Sequence, residues 1–284
     1  MTQALNSLLE IASDFDAMIL DQWGVLHDGT QAYPGAVAAV TALRESGVRL
    51  AVLSNSGKRA ALNAQRIAAK GFAPALWDSV MTSGEALWQQ VADGGFAGQR
   101  VFAITAHPED AGRWAQGLSV AFVDHLEEAE VVLIMGLAEG DAAPDEATLA
   151  TWQATILSRN LPVYCSNPDK NSPRAGGRLV MSPGALAHQI AYAGGRVAYY
   201  GKPHLPVYRA IETALQLAPN RCLMVGDSLE HDIAGAHAAG WATAFIRGGI
   251  HAAEFDTVDM HQALAAAATR KASPLPDFTL ATLR

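Results

Sequence analysis

Residues 17–29 read AMILDQWGVLHDG, and the rest of the chain is organised around this stretch. Its first four residues are apolar and predict a buried strand that runs into Asp21. Gly24 and the pair Asp28-Gly29 follow as turn signals. Open α/β sheets bind their ligands at the carboxyl ends of their strands, so Asp21 is a candidate nucleophile or metal ligand. The alternative is that Asp21 only caps the following turn.

The composition of the 284 residues narrows the classes of function. Half of the residues are hydrophobic, yet no apolar run approaches the roughly 20 residues that cross a bilayer. The first residues also lack the basic-then-apolar build of a signal peptide, so we expect a cytoplasmic protein without a membrane partner. A net charge of −8 argues against a nucleic-acid partner, because such a surface needs basic residues to neutralise phosphates. Cys165 and Cys222 lie in apolar runs without a CxxC spacing and predict buried free thiols.

Strand-like and helix-like segments alternate along the chain and predict an α/β fold. A short helix is expected at residues 3–12. The strand before Asp21, a helix and a second strand follow one another, and a right-handed crossover would make these two strands parallel neighbours. The pattern restarts near residue 83. We therefore expect a first core part at residues 1–82, an inserted α/β domain at 83–195 and a second core part at 196–284, which begins with the strand Val197 to Tyr200.

Four apolar runs end in polar residues that suit phosphoryl chemistry. They end in Asp21, Ser54, Lys202 and Asp227, and Asp232 follows five residues after Asp227. Together these residues supply a carboxylate nucleophile, a hydroxyl and an ammonium for phosphate oxygens, and an acidic pair for a divalent cation. Carboxylates that lie close together repel one another unless a cation is bound, and Mg²⁺ takes such hard oxygen ligands.

The segments LDQWGV, LSNS, GKP and GDSLEHDI, in this order, resemble the four motifs of the haloacid dehalogenase-like hydrolase superfamily. The long insert between the second and third segments, with SNPD near its end, resembles the C2-type cap of subfamily IIA, the sugar- and nucleotide-phosphatase branch. The resemblance covers nearly the whole chain. It implies a Rossmann-like, doubly wound core with a mobile inserted α/β cap, and catalysis through a covalent aspartyl-phosphate.

The resemblance also implies a role for each matching residue. Asp21 would be the nucleophile, while Ser54 and Lys202 would bind the transferred phosphoryl group. Asn55 would add an amide hydrogen bond to the phosphate. Lys202 would have the second task of keeping Asp21 ionised beside the other carboxylates.

The Mg²⁺ ligands implied by the resemblance are all oxygen donors. They are the carboxylates of Asp21 and Asp227, the backbone carbonyl of Trp23, and the carboxylate of Asp232, which would act directly or through water.

Trp23 departs from the family pattern. Phosphatases of the superfamily usually carry an aspartate there, which protonates the leaving oxygen and then activates the hydrolytic water, and an indole can do neither. General acid–base catalysis contributes about 10²- to 10⁴-fold, so alkyl phosphate hydrolysis should be slower by about that factor. Either the leaving group needs no proton, or another residue such as His27 or Asp28 supplies it, or the chemistry is not phosphate ester hydrolysis.

Three hypotheses of function follow. The first is a Mg²⁺-dependent phosphatase of a small phosphorylated metabolite, such as a sugar or nucleotide phosphate. The second is another group transfer at Asp21, such as carbon–halogen or carbon–phosphorus cleavage, and the third is a catalytically weakened sensor that binds a phosphorylated ligand. Asn167, Asp169 and Asn171 in the cap are either substrate contacts or ordinary turn residues. An apolar cap surface would allow two chains to pair as a homodimer.

Overall fold

The computed structural model of the protein describes residues 2–96, 98–173, 179–249, 252–255 and 259–284. The chain divides into two compact units. Unit 1 consists of Met1–Ser54, Ala61–Met81 and Lys202–Arg284, and unit 2 consists of Asn55–Ala60 and Thr82–Gly201. Each unit combines a parallel sheet with helices, which confirms the expected α/β, Rossmann-like fold class.

The strands and helices alternate along the chain. In chain order the strands are β1 (Gln3–Ala4), β2 (Ala17–Leu20), β3 (Arg49–Ser54), β4 (Ser79–Thr82), β5 (Arg100–Ile104), β6 (Ala121–Phe122), β7 (Val131–Ile134), β8 (Val163–Cys165), β9 (Asn171–Pro173), β10 (Leu179–Met181), β11 (Val197–Tyr199), β12 (Cys222–Gly226), β13 (Ala242–Ile246) and β14 (Phe278–Leu280). The α-helices are α1 (Ala36–Glu45), α2 (Ala60–Ala68), α3 (Ser83–Ala92), α4 (Asp110–Trp114), α5 (Glu146–Ser158), α6 (Pro183–Tyr192), α7 (Leu205–Leu215), α8 (Ala234–Ala239) and α9 (Met260–Arg270).

Unit 1 is built on a sheet whose order, over the described residues, is β1-β14-β13-β12-β2-β3-β4. The inner strand β2 is buried along its whole length, which is typical of a parallel strand covered on both faces. It pairs in parallel with β3 and β12, so that Leu20 lies opposite both Val52 and Val225. Because the three strands run in the same direction, the residues that follow them leave the sheet at one edge.

Unit 2 is built on a second sheet of parallel strands, in the order β11-β8-β7-β5-β6 over the described residues. The strand β7 is fully buried, and the apolar faces of α5 and α6 pack on the same core through Ile156, Leu186 and Ile190. A separate antiparallel pair joins β9 and β10. Unit 2 therefore has a hydrophobic core of its own.

The strand β11 belongs to unit 2, although its apolar run was expected to start the second core part. Val197 pairs with Val163 and Tyr199 pairs with Cys165, so β11 extends the sheet of unit 2 at its edge. The division between the units accordingly lies after Gly201 rather than after residue 195, and residues 55–60 also group with unit 2. An apolar run shows that a strand forms, but it does not show which sheet the strand joins.

The N-terminal segment also differs from its expected form. Residues 3–12 do not form one helix, because β1 pairs with β14 and a 3-10 helix follows at Leu8–Asp14. Ser7 and Glu10 form a capping box at the start of that helix.

Cys165 and Cys222 are buried free thiols, as predicted. In the described part of the chain no helix has the length and apolar character needed to span a bilayer.

Candidate active site

Lys202 lies at the centre of a group of charged side chains in unit 1. Its Nζ donates to Asp21 Oδ1 at 2.6 Å, to Asp232 Oδ1 at 2.7 Å and to the backbone carbonyl of Leu53 at 3.3 Å. Only 4% of the Lys202 side chain is exposed, so these groups replace most of the water around the ammonium. A charge buried to this extent is stable only when it is paired and hydrogen-bonded, as it is here.

Lys202 reaches this position by a different route from the one predicted. The sequence predicts that the strand before Lys202 begins the second core part, but this strand is β11, which belongs to the sheet of unit 2. Lys202 is the first residue of the last segment of unit 1, and the Lys202–Pro203 peptide bond is cis. Asp21, Ser54 and Asp227 do lie at the ends of the neighbouring strands β2, β3 and β12.

Three carboxylates lie close enough together to share a cation. Asp21, Asp227 and Asp232 each offer one oxygen, and these oxygens lie within 4.8 Å of one another. The second oxygen of Asp232 accepts the Ser228 N–H at 3.0 Å. The backbone of Gly24 packs closely against Asp227: a Cβ added at Gly24 would overlap Asp227 Oδ2. This set of hard oxygen donors fits a divalent cation such as Mg²⁺. We call Asp21, Lys202, Asp227 and Asp232 the charged cluster.

Burial and the neighbouring charges act against each other on the pKa values of the charged cluster. Burial raises the pKa of Asp21 to about 6; the Lys202 ammonium opposes the rise, and the Asp232 carboxylate adds to it. Burial would lower the pKa of Lys202, but Asp21 and Asp232 outweigh it and raise that pKa above its ordinary value. Lys202 therefore stays protonated at neutral pH and favours the ionised form of Asp21.

Ser54 and Asn55 are adjacent in sequence but fall into different units. Ser54 is the half-buried last residue of β3 in unit 1. In unit 2, the Asn55 Nδ2 donates to Asp169 Oδ1 at 2.7 Å. The Asp169 N–H in turn donates to Asn167 Oδ1 at 3.1 Å, which is an ordinary turn contact, and Asn171 begins β9. The contact with Asp169 thus ties Asn55 to the loop after β8.

Trp23 lies in a compact loop at residues 22–33, which we call the Trp23 turn. The six-membered ring of its indole lies on Gly29, where a Cβ would overlap the ring atoms and where φ is +94°. The His27 ring meets the indole at a steep angle, with ring centroids 6.1 Å apart. Lys70 Nζ donates to the backbone carbonyl of Gly29 at 2.8 Å. The indole is therefore held by packing inside the turn.

His27 and Asp28, the nearest candidates for a proton donor, hold this turn together. His27 Nδ1 accepts the Gly29 N–H at 3.0 Å, and burial lowers the pKa of His27 to about 4. The ring is therefore neutral at pH 7, and the hydrogen bond assigns its proton to Nε2. Asp28 Oδ1 accepts the N–H groups of Gln31 and Thr30, both at 2.8 Å, and these bonds hold the pKa of Asp28 below its usual range.

Some contacts of the charged cluster were not predicted from the sequence. The Leu53 carbonyl accepts from Lys202, and the backbones of both Gly24 and Gly249 pack against the carboxylate of Asp227. The Gly-Gly pair at 248–249, just after β13, was an available signal, because glycine permits close backbone approach. The Leu53 carbonyl has no sequence signal, since every residue carries one.

Known proteins resemble the chain over nearly its full length. A family described as haloacid dehalogenase-like hydrolase matches residues 18–112, and one described as HAD-hydrolase-like matches residues 199–278. Mouse chronophin is 28% identical over 87% of this chain and 86% of its own. Human glycerol-3-phosphate phosphatase is 26% identical over 78% of this chain and 76% of its own.

A solved structure agrees with these matches. The crystal structure of a haloacid dehalogenase-like family hydrolase from Brucella suis 1330 has a TM-score of 0.79 and 29% identity, and the match covers 99% of this chain and 100% of that one. The two family matches contain the four residues of the charged cluster: residue 21 lies in the first match, and residues 202, 227 and 232 lie in the second. The chain belongs to the haloacid dehalogenase-like hydrolase superfamily, in its subfamily IIA.

Proposed function

We propose that the protein is a Mg²⁺-dependent phosphatase of a small phosphorylated metabolite and that it acts through an aspartyl-phosphate on Asp21. The observation that carries this proposal is the position of Lys202 Nζ between Asp21 and Asp232, in a cluster whose three carboxylates can share a cation. A relative named glycerol-3-phosphate phosphatase supports the reaction class.

In the first step a carboxylate oxygen of Asp21 attacks the phosphorus atom, and the bond from phosphorus to the leaving oxygen breaks. Lys202 keeps Asp21 ionised and, with the Ser54 hydroxyl, binds the phosphoryl oxygens. Water then attacks the phosphorus and releases Asp21. Asp21 attacks as a carboxylate in the first step and leaves as a carboxylate in the second, and its contact with Lys202 favours this ionised form.

The proposed Mg²⁺ ligands are Asp21, Asp227, the backbone carbonyl of Trp23 and Asp232. When bound, Mg²⁺ would offset the negative charge of the phosphoryl oxygens and of the neighbouring carboxylates. Unit 2 is, in this proposal, the inserted cap predicted at residues 83–195. Asn55 is proposed to bind phosphate, in which case its bond to Asp169 also orients its amide.

The test is phosphate release from a panel of sugar, nucleotide, aryl and acyl phosphates, with and without Mg²⁺. Wild type should turn over at least one of them only when Mg²⁺ is present. Asp21→Asn should lose on the order of 10⁴-fold or more in kcat, as expected when a nucleophile is removed. Asp14→Asn, an exposed aspartate of the same unit, is the matched control and should behave as wild type.

The two other hypotheses predict different results in the same assay. Carbon–halogen or carbon–phosphorus cleavage would release halide or break a phosphonate while every phosphate ester stays intact. A sensor would bind a phosphorylated ligand tightly without Mg²⁺ and release no phosphate. Either result, with a folded wild-type protein, would overturn the phosphatase proposal.

A further inference from the structure

Cleavage of a phosphate ester leaves negative charge on the departing oxygen. That oxygen either leaves as an anion or takes a proton from a nearby acid. An alkyl alcohol is a poor leaving group without an acid, because its pKa is close to that of water, about 15.7. A phenol, with a pKa of about 10 as in tyrosine, or a carboxylic acid, with a pKa of about 4, leaves far more readily as an anion. The proton donors around Asp21 therefore determine which leaving groups the enzyme can release.

No group of the charged cluster is suited to protonate the leaving oxygen. Lys202 donates hydrogen bonds to Asp21, Asp232 and the Leu53 carbonyl, and the two carboxylates favour its protonated form. Both oxygens of Asp232 are acceptors, one from Lys202 and one from the Ser228 N–H. Asp227 is one of the oxygen donors of the proposed cation site and serves there as a carboxylate.

The side chains of Trp23, His27 and Asp28 offer no acid either. The indole N–H of Trp23 can donate a hydrogen bond, but it is not acidic enough to act as a general acid toward the leaving oxygen. His27 accepts the Gly29 N–H on Nδ1, and protonation of Nδ1 would turn this hydrogen bond into a contact between two donors. Asp28 accepts two backbone N–H groups on Oδ1, which is the arrangement of a turn-forming carboxylate.

We propose that the enzyme cleaves phosphates whose leaving group departs as a stable anion, namely aryl or acyl phosphates, in preference to alkyl phosphates, and that Trp23 determines this selectivity. The inference rests on the proposed phosphatase function and narrows it. The family resemblance implies sugar or nucleotide phosphates as substrates. By this inference, those that are simple alkyl esters are poor substrates.

The reaction balances without an added acid. The bond from Asp21 Oδ to phosphorus forms while the bond from phosphorus to the leaving oxygen breaks, and the leaving group keeps the electron pair as an aryloxide or a carboxylate. Water then bonds to phosphorus, and the electron pair of the bond to Asp21 returns to its carboxylate. The proton of the water passes to a phosphate oxygen or to solvent, and inorganic phosphate is released.

The experiment compares kcat/KM for 4-nitrophenyl, phenyl, acetyl and propyl phosphate in the presence of Mg²⁺. This parameter reports the first bond cleavage, in which the leaving group departs. Wild type should cleave propyl phosphate at least about 10²-fold less efficiently than 4-nitrophenyl phosphate. Trp23→Asp should raise kcat/KM for propyl phosphate by about 10²-fold or more, which is the usual contribution of a general acid. Trp23→Asn matches aspartate in size but has no acidic proton, so it should not produce this gain.

The other possible results separate a failure of the selectivity inference from a failure of the proposed phosphatase function. If wild type cleaves propyl phosphate within about tenfold of 4-nitrophenyl phosphate, some group donates a proton and the inference is overturned, while the phosphatase function stands. If Trp23→Asp gains no more than Trp23→Asn, Trp23 does not set the selectivity. If wild type releases phosphate from none of the four, the proposed function and this inference fall together. The comparison of the four phosphates with wild type tests the preference for aryl and acyl phosphates even if a Trp23 variant does not fold.

Discussion

Asp21 and Trp23 are two residues apart, yet their surroundings are held together in opposite ways. Asp21 bonds to Lys202, which lies 181 positions along the chain, and the two other carboxylates of the cluster are even more distant in sequence. The hydrogen bonds made by His27 and Asp28 in the Trp23 turn span only two or three residues. The charged cluster is thus a product of tertiary structure, whereas these hydrogen bonds of the turn are local in sequence.

The largest loss of stability is expected from Lys202→Met, which removes the shared partner of Asp21 and Asp232. Asp21 and Asp232 would keep their buried positions without a cation between them. Removing one partner of a buried ion pair costs about 3–5 kcal/mol, so the free energy of unfolding should fall by that amount. Urea unfolding followed by circular dichroism measures it.

Lys271→Met is the matched control for this substitution. Lys271 pairs with Glu230 at 3.7 Å on the surface, where both side chains are more than 40% exposed. Exposed pairs of this kind contribute about 0–1 kcal/mol. Equal losses in the two variants would show that Lys202 is not an essential partner of the cluster.

The second prediction concerns the neutral ring in the Trp23 turn. The pKa of His27 is about 4 in the folded protein and about 6.5 when the chain is unfolded, so the unfolded state binds a proton between these values. The free energy of unfolding should therefore fall as the pH drops from about 6.5 to about 4, by about 2–3 kcal/mol from this residue. At pH 7 and above His27 should contribute no pH dependence.

His27→Asn tests this prediction because asparagine keeps a hydrogen-bond acceptor and does not titrate. Urea unfolding between pH 7 and pH 4.5 should show a smaller loss of stability in this variant than in wild type. His261→Asn replaces an exposed histidine of α9 and should keep the wild-type pH dependence. The same pH dependence in wild type and His27→Asn would contradict the assignment of a buried neutral ring.

The Trp23 turn and the charged cluster meet at Gly24. Gly24 belongs to the turn and packs against Asp227 of the cluster. Gly24→Ala should destabilise the fold both through its positive φ of +90° and through the overlap with the carboxylate. Overpacking of this kind costs about 1–3 kcal/mol beyond the backbone strain.

Gly47→Ala isolates the overlap with the carboxylate, because Gly47 has a similar φ of +92° but no heavy atom within 4 Å of the place that an alanine Cβ would occupy. The difference in unfolding free energy between the two variants should be about 1–3 kcal/mol. Calorimetry should also show weaker Mg²⁺ binding in Gly24→Ala and unchanged binding in Gly47→Ala. Equal stability and equal Mg²⁺ affinity in both would show that Gly24 does not shape the carboxylate site.

Much of the core and its sheet edge could be predicted from the chain alone. The run AMIL before Asp21 is fully buried as β2, β3 ends at Ser54, one residue past its apolar run, and β12 ends just before Asp227. Such predictions succeed because a fully buried parallel strand is a continuous apolar run that stops where the chain leaves the sheet. The positive φ values of Gly24 and Gly29 likewise follow from glycine at turn positions.

The short strands β1, at the sheet edge, and β14, beside it, were not predictable in the same way. The strands β1 and β14 have two and three residues, too few to show a period, and they form only because each pairs with the other and β14 also pairs with β13. The helix expected at residues 3–12 was wrong for the same reason, since pairing at the sheet edge outweighed local spacing.

From the chain alone it follows that Asp21 comes after a buried strand, that Trp23 stands where the family usually has an acid, and that a tight turn comes next. That Lys202 follows a strand of the second sheet and still bonds to both Asp21 and Asp232 depends on the tertiary structure. The reason is the range of the forces involved. Strand and turn preferences act over a few neighbouring residues, whereas the partner of a buried charge depends on which distant segments the packed core brings together.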